Sequence, residues 1–353
     1  MTIPPPRDPA PPDSFTETRR RAAARLLGTS LGPLLGLAIV VAAFWVADEI
    51  NADRVGRRSV FATLPSARLM ATHASEVAIP ALGMTLIIIA GGIDLSAGTA
   101  IALSATVAAW FFRERYDPSL AIAAGMLTGC LCGALNGALI SALRVVPFIV
   151  TLGTMTIFLG LGRILADDTP IRMPEPGMAP RWLLELPSPI PEPAWLTLPA
   201  AVWLMLALAA GMSLLLRFTV FGRHAFAVGS SEATARLCGV PVRRVRVTVY
   251  ATAGLFVGVA GLLQFARLSG QGDPTAGTGK ELEIIAAVVI GGGSLSGGRG
   301  SVLGTLSGAA IMSVINHGCV LLGVGDAWQR IVIGVIIIAA VAIDQLRQRR
   351  LAG

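Results

Sequence analysis

Gly91-Gly92-Ile93-Asp94-Leu95-Ser96-Ala97-Gly98 parts two apolar runs, residues 76–91 and 97–112. Glycine accepts positive φ and lets another backbone approach closely, so the stretch reads as a tight turn joining two helices. Gly291-Gly292-Gly293-Ser294-Leu295-Ser296-Gly297-Gly298 echoes it 200 residues later, with five of eight positions identical. Each copy sits between apolar runs, and the pair predicts a parallel internal repeat of the sort that some transporter folds use. Gly91, Gly92, Gly98, Gly292, Gly293, Gly297 and Gly298 are assigned as structural turn glycines.

Composition explains why those runs are so apolar. Of 353 residues, 54% are hydrophobic and only 14% charged, against about a quarter charged in soluble domains. The formal charge of +7 comes from 28 basic residues, of which Lys280 is the single lysine. They fall between apolar runs and form no basic face, so they read as orientation signals and not as a nucleic-acid surface. Cys130, Cys132, Cys238 and Cys319 give no disulfide or zinc pattern.

A hydrocarbon core about 30 Å thick takes about 20 apolar residues as helix. Ten runs qualify as candidates: 31–47, 76–91, 97–112, 119–142, 146–166, 198–217, 247–267, 281–293, 302–322 and 328–343. The expected fold is an all-α, polytopic transmembrane helical bundle of about ten spans. The second and eighth runs are short and glycine-rich, as broken or re-entrant elements are. Residues 1–30 are expected as an N-terminal tail, 31–345 as the membrane domain and 346–353 as a C-terminal tail. Placing the arginine-rich loop 218–246 inside puts both termini in the cytoplasm, with 16 arginines inside and the remaining 12 basic residues outside or at span ends. The outer segment 167–197 carries eight prolines and is expected to run extended, as a linker or a docking element.

Polar residues inside apolar spans are the default functional candidates, because their burial in lipid is costly. Asp94, Asn136, Glu283 and Asn316 are the candidates for a translocation path or gate. Each has an ordinary alternative: Asp94 as a helix cap, the asparagines as hydrogen-bonded helix glue. Gln264, Glu281 and His317 are further polar residues near span ends or within spans. No G-x-x-x-x-G-K-[ST] phosphate loop, H-E-x-x-H or G-x-S-x-G motif occurs. Three scattered histidines make no metal site, so no metal ligand is assigned, and catalysis has no candidate nucleophile or acid–base pair.

Within 218–246, Ser231 to Leu237 can form a short helix, with Ser230 or Ser231 as N-cap, Glu232 in the first turn and Gly239 ending it. Gly229-Ser230-Ser231-Glu232-Ala233-Thr234-Ala235-Arg236-Leu237-Cys238-Gly239-Val240 resembles the cytoplasmic coupling segment of the ribose-type ABC sugar permeases, the membrane subunits of bacterial monosaccharide importers. Gly91 to Thr99, Asn136-Gly137 and Glu281 to Gly300 resemble further motifs of that family, in family order. The late asparagine–glycine pair is interrupted, as Asn316-His317-Gly318.

The resemblance implies a permease subunit of an ATP-binding-cassette importer, a multi-pass protein of the bacterial inner membrane without its own ATPase. Gly229, Ser231, Glu232, Ala233, Ala235, Arg236 and Gly239 would form the ATPase-coupling loop. Implied partners are a second permease subunit, two cytoplasmic ATP-binding subunits that use ATP and magnesium, and an external sugar-binding protein. This chain itself would bind no cofactor. The implied solute is a monosaccharide or related polyol. The alternatives are another small polar solute, such as a nucleoside or furanose-derived signal, and a self-contained secondary transporter.

Overall fold

The computed structural model describes residues 15–342 apart from 176, 192–196, 326, 337 and 340–341, with side chains from residue 32 onward. Thirteen helices follow one another among the described residues. They are α1 Phe15–Val55, α2 Leu64–Ile89, α3 Ala97–Arg113, α4 Pro118–Leu143, α5 Pro147–Leu165, α6 Arg181–Leu184, α7 Ala200–Phe218, α8 Val220–Ser230, α9 Glu232–Leu237, α10 Val242–Arg267, α11 Lys280–Ile290, α12 Val302–Leu321 and α13 Ala327–Ile336. Seven are long and apolar enough to cross a membrane: α1 from Gly32, α2, α4, α5, α7, α10 and α12.

Each of the ten apolar runs therefore contributes a helix among the described residues, but α3 with 17 residues, α11 with 11 and α13 from Ala327 to Ile336 fall short of span length. The second run departs from the expected broken element. It is the C-terminal part of a continuous 26-residue helix with Pro80 inside it. Arg68, His73 and Glu76 in its first half interrupt the hydropathy and hid the true start at Leu64. The helix that leads into the first span starts at Phe15, within the expected N-terminal tail, while the apolar part of it starts at Gly32. The C-terminal tail, 346–353, lies outside the described residues.

The centre of the bundle is made by glycine. α4 and α10 cross with backbones in contact, because a Cβ on Gly129 would meet Gly258 N at 2.4 Å and one on Gly133 would meet Tyr250 O at 2.1 Å. Close approach of this sort is how transmembrane helices associate when hydrophobic burial cannot drive them together. α2 and α10 are the most enclosed spans, with 83% and 78% of their apolar windows buried. α4 and α5 instead turn Leu127, Leu131, Ile157 and Ile164 outward, as expected where lipid is the solvent.

The proline-rich segment 167–197 is more than an extended linker. Ile171–Arg172 pairs antiparallel with Gln271–Gly272, in register Ile171↔Gly272. Ile171, Ala179 and Leu183 are buried against Phe112 and Phe265, whose rings stack at 5.2 Å. The density of prolines, which favours extended backbone, masked these apolar anchors in the sequence.

The packing predicts opposite outcomes for two glycines. Gly129→Ala forces Cβ into the α10 backbone and is expected to destabilise the protein by about 1–3 kcal/mol or more. Gly153→Ala, where a Cβ meets nothing within 4 Å, is expected to leave the thermal midpoint in detergent unchanged. Fluorescence-detected thermal unfolding of the two variants checks this.

Candidate coupling site and cavity

α9 is built as its residues require. Ser231 is the N-cap, its hydroxyl accepting from Thr234 N at 3.2 Å. At the other end Gly239 adopts φ +79°, and the bonds Gly239 N to Arg236 O and Val240 N to Ala235 O, both 3.0 Å, close a Schellman turn. Ala235 is buried beneath the helix. Glu232 accepts from Arg236 one turn on at 2.6 Å and from Arg246 on α10 at 2.7 Å, which ties α9 to the start of the next span. Burial works to raise the Glu232 carboxyl, but the Arg236 hydrogen bond and the nearby Arg246 outweigh it and hold it below its ordinary value. The interaction is thus complete at neutral pH and is lost only as pH falls through that lowered value. Leu237 stands 89% exposed at the tip of α9. Ala233 is exposed on the same helix.

The segment also holds a helix that the sequence reading did not anticipate. α8 starts at Thr219, whose hydroxyl accepts from Gly222 N at 3.0 Å, and ends at Ser230 beside Gly229. There the two glycine turns converge. A Cβ on Gly229 would sit 1.8 Å from Ile89 O, at the end of α2, and 2.8 Å from Gly298 N. Gly298 N itself donates to Ile89 O at 2.9 Å, and a Cβ on Gly297 would fall 2.5 Å from Gly229 O and 2.9 Å from Gly91 Cα. Three chain segments meet as bare backbone.

The echoed turns share a geometry, slipped by one residue. Gly91 N donates to Ile88 O and Gly92 N to Ile87 O, while Gly292 N donates to Val289 O and Gly293 N to Val288 O. Both are Schellman closures, with Gly91 and Gly292 at φ +79° and +88°. The identical letters therefore align Gly91 with Gly291, whereas the backbone aligns it with Gly292. Gly98 belongs to a different contact, where a Cβ would strike Gly277 O at 2.4 Å.

The four residues singled out for a path or gate separate into two places. Asp94 and Asn136 are buried in one closed network. Asp94 Oδ1 accepts from Ser96 N at 2.8 Å and Ser96 Oγ at 2.6 Å. Asn136 Nδ2 donates to Ser96 Oγ at 2.8 Å, and its oxygen accepts from Thr154 at 2.7 Å. Asp94 thus forms a turn-closing bond two residues ahead, and Asn136 stitches α4 to that turn and to α5. Tyr250 adds a bond from α10 to Ile93 O at 3.3 Å. The network fastens the first glycine turn.

Glu283 and Asn316 instead line a cavity of about 390 Å³ between α2, α10, α11, α12 and α13. Glu76, Gln264, Arg267 and Lys280 share that lining. Arg267 is ion-paired to Glu76, and Lys280 donates to Gln264 Oε1 at 2.8 Å. Glu281 turns back to accept from Gly279 N at 3.1 Å. His317 packs its ring on Phe61, 6.3 Å between centroids, outside the cavity. Sequence reading passed over Glu76 and Arg267 as cavity residues, although a carboxylate and an arginine inside or ending apolar helices were the available sign. Among the described residues no cluster of histidine, cysteine, aspartate and glutamate could hold a metal ion.

A family model described as "Branched-chain amino acid transport system / permease component" matches residues 67–341. The ribose import permease protein of Escherichia coli K12 is 38% identical over 276 residues, covering 77% of this chain and 83% of the relative. The corresponding protein of Bacillus subtilis 168 is 38% identical over 315 residues, covering 89% and 92%. The fructose import permease protein of Rhizobium meliloti is 37% identical over 278 residues, covering 78% and 77%. No solved structure matches the chain. A helical protein with seven helices fit to cross a membrane, matched over most of its length by such relatives, belongs to the family of ABC-transporter permease components.

Proposed function

We propose that this chain is the translocating subunit of an ATP-binding-cassette importer for a monosaccharide or related polyol. Relatives that import ribose and fructose, aligned over three quarters or more of the chain, carry the reading of the solute. In this reading α8 and α9 face the cytoplasm, both termini lie on that side, and the protein sits in the inner membrane. Two copies pair around the path, two ATP-binding subunits dock on the α9 loops, and an external binding protein delivers the solute.

The observation that best supports the coupling role is the backbone contact at Gly229. A docking element with exposed Leu237 at its tip leads, through α8, to the ends of α2 and to the turn that precedes α12. Backbone packed on backbone has no rotamers to absorb a push. Movement of α8 is therefore passed to α2 and the second turn. ATP-driven closure of the motors then shifts the population between outward-open and inward-open forms, by as much as the motors' differential affinity for the two.

Proteoliposomes holding the chain, its ATP-binding subunits and the binding protein test the function. They are expected to take up ribose or fructose with internal or external ATP supplied to the motor side, and to take up neither on an ion gradient alone. Uptake by the isolated chain on an ion gradient would overturn the proposal. The coupling role has its own test. Gly229→Ala and Glu232→Lys are expected to lower solute moved per ATP hydrolysed by at least about fivefold, a coupling loss of ordinary size. Gly211→Ala, at an open glycine of α7, is expected to keep the wild-type ratio.

A further inference from the structure

Resting on the reading as a permease, the structure points to where the solute is held within a single protomer. We propose that the cavity between α2, α10, α11, α12 and α13 is a solute-binding site for a small, uncharged, polyhydroxylated molecule, and that Gln264 and Asn316 determine its specificity.

At about 390 Å³ the cavity falls in the size range of ordinary small-molecule sites. Its lining combines an apolar wall, including Pro80, Leu263 and Met312, with convergent polar groups. Gln264 is only 4% exposed. Its carbonyl is held by Lys280, while its amide nitrogen has no hydrogen-bond partner among the described residues. A buried donor left unmade is costly, and a small turn of this lining side chain on solute entry lets an acceptor in the cavity satisfy it. Asn316, half-buried on α12, offers both a donor and an acceptor.

The charges specify the class of ligand. Three cations, Arg267, Lys280 and Arg330, face two carboxylates, Glu76 and Glu283, with His73 beside them. Arg267 is ion-paired with Glu76, and cations exceed carboxylates by one over the whole lining, which presents both donors and acceptors. Hydroxyl groups, which donate and accept at once, match such a surface. A phosphate or other strong anion would meet the carboxylates, and a hydrocarbon side chain would leave the polar groups unpaired. Bringing a charged lining into a bilayer protein is expensive, which argues for a use.

The cavity is also tied to the coupling junction. Its α2 residues, His73 to Pro80, lie nine to sixteen residues before Ile89, about 14–24 Å along one helix at 1.5 Å per residue. A movement of Ile89 thus reaches the cavity wall along a single rod.

The test uses two variants of the full transporter in proteoliposomes. Gln264→Leu keeps the approximate shape and removes both the amide donor and the carbonyl that Lys280 uses. It is expected to lower ribose moved per ATP hydrolysed at least about tenfold, the size of one lost buried hydrogen bond or more. Asn316→Cys in a Cys238→Ser background is expected to react with a small methanethiosulfonate, and ribose is expected to slow that reaction where leucine or gluconate at equal concentration does not. Wild-type ribose uptake with an unaltered ratio in Gln264→Leu and no protection of Cys-substituted residue 316 would overturn the site while leaving the permease reading intact. Protection by leucine or gluconate instead of ribose overturns the assigned ligand class. Failure of the wild-type complex to move any monosaccharide, with protection by leucine, would sink the sugar-permease reading itself.

Discussion

Gly229 touches two other backbones, and much of the molecule is arranged so that it can. Ile89 O, Gly298 N and Gly91 crowd a point where even one methyl group has no room. Such a contact gains nothing from hydrophobic burial. It persists because the surrounding pieces are rigid: two Schellman turns, a capped α8 and the hydrogen bond from Gly298 N to Ile89 O. The Asp94–Ser96–Asn136–Thr154 network then pins the first turn to α4 and α5. Loss of one partner there would strand a buried polar group at a cost of about 1–3 kcal/mol. A side-chain contact in the same position could yield by changing rotamer, whereas this one can only move as a body.

The same constraint links the two places of interest. α2 carries the junction at its C-terminal end and lines the polar cavity with residues between His73 and Pro80. α10 runs alongside, contributing Tyr250 to the pinned turn and Gln264 to the cavity. Both helices thus connect the proposed coupling end to the proposed solute end, and they are the two most enclosed spans of the bundle. Short α11 and the outward-facing α4 and α5 surround them.

Much of this was legible in the residues. Hydropathy located every long helix, because the bilayer demands apolar length whatever the packing. The ends of α9 were legible too, since Ser231 and Gly239 satisfy backbone groups by local chemistry alone. The length of α2 was not, because Arg68, His73 and Glu76 face protein or cavity and not lipid, and a hydropathy window assumes lipid. Asp94 and Asn136 looked alike to Glu283 and Asn316 as polar residues in apolar runs. What separates a closed network from an open cavity is the partner across the bundle, and no local pattern encodes it. The glycine echo was visible, but its one-residue slip depends on where each helix closes, Ala90 in one copy and Gly291 in the other.

The central claim is that docking at α9 is felt at the glycine turns through backbone contact. Hydrogen exchange of the chain, alone and with its ATP-binding subunits bound, measures this directly. The account predicts that protection of residues 229–237 changes together with that of 89–92 and 296–298. A change confined to 229–237, with both turns exchanging as before, would contradict it.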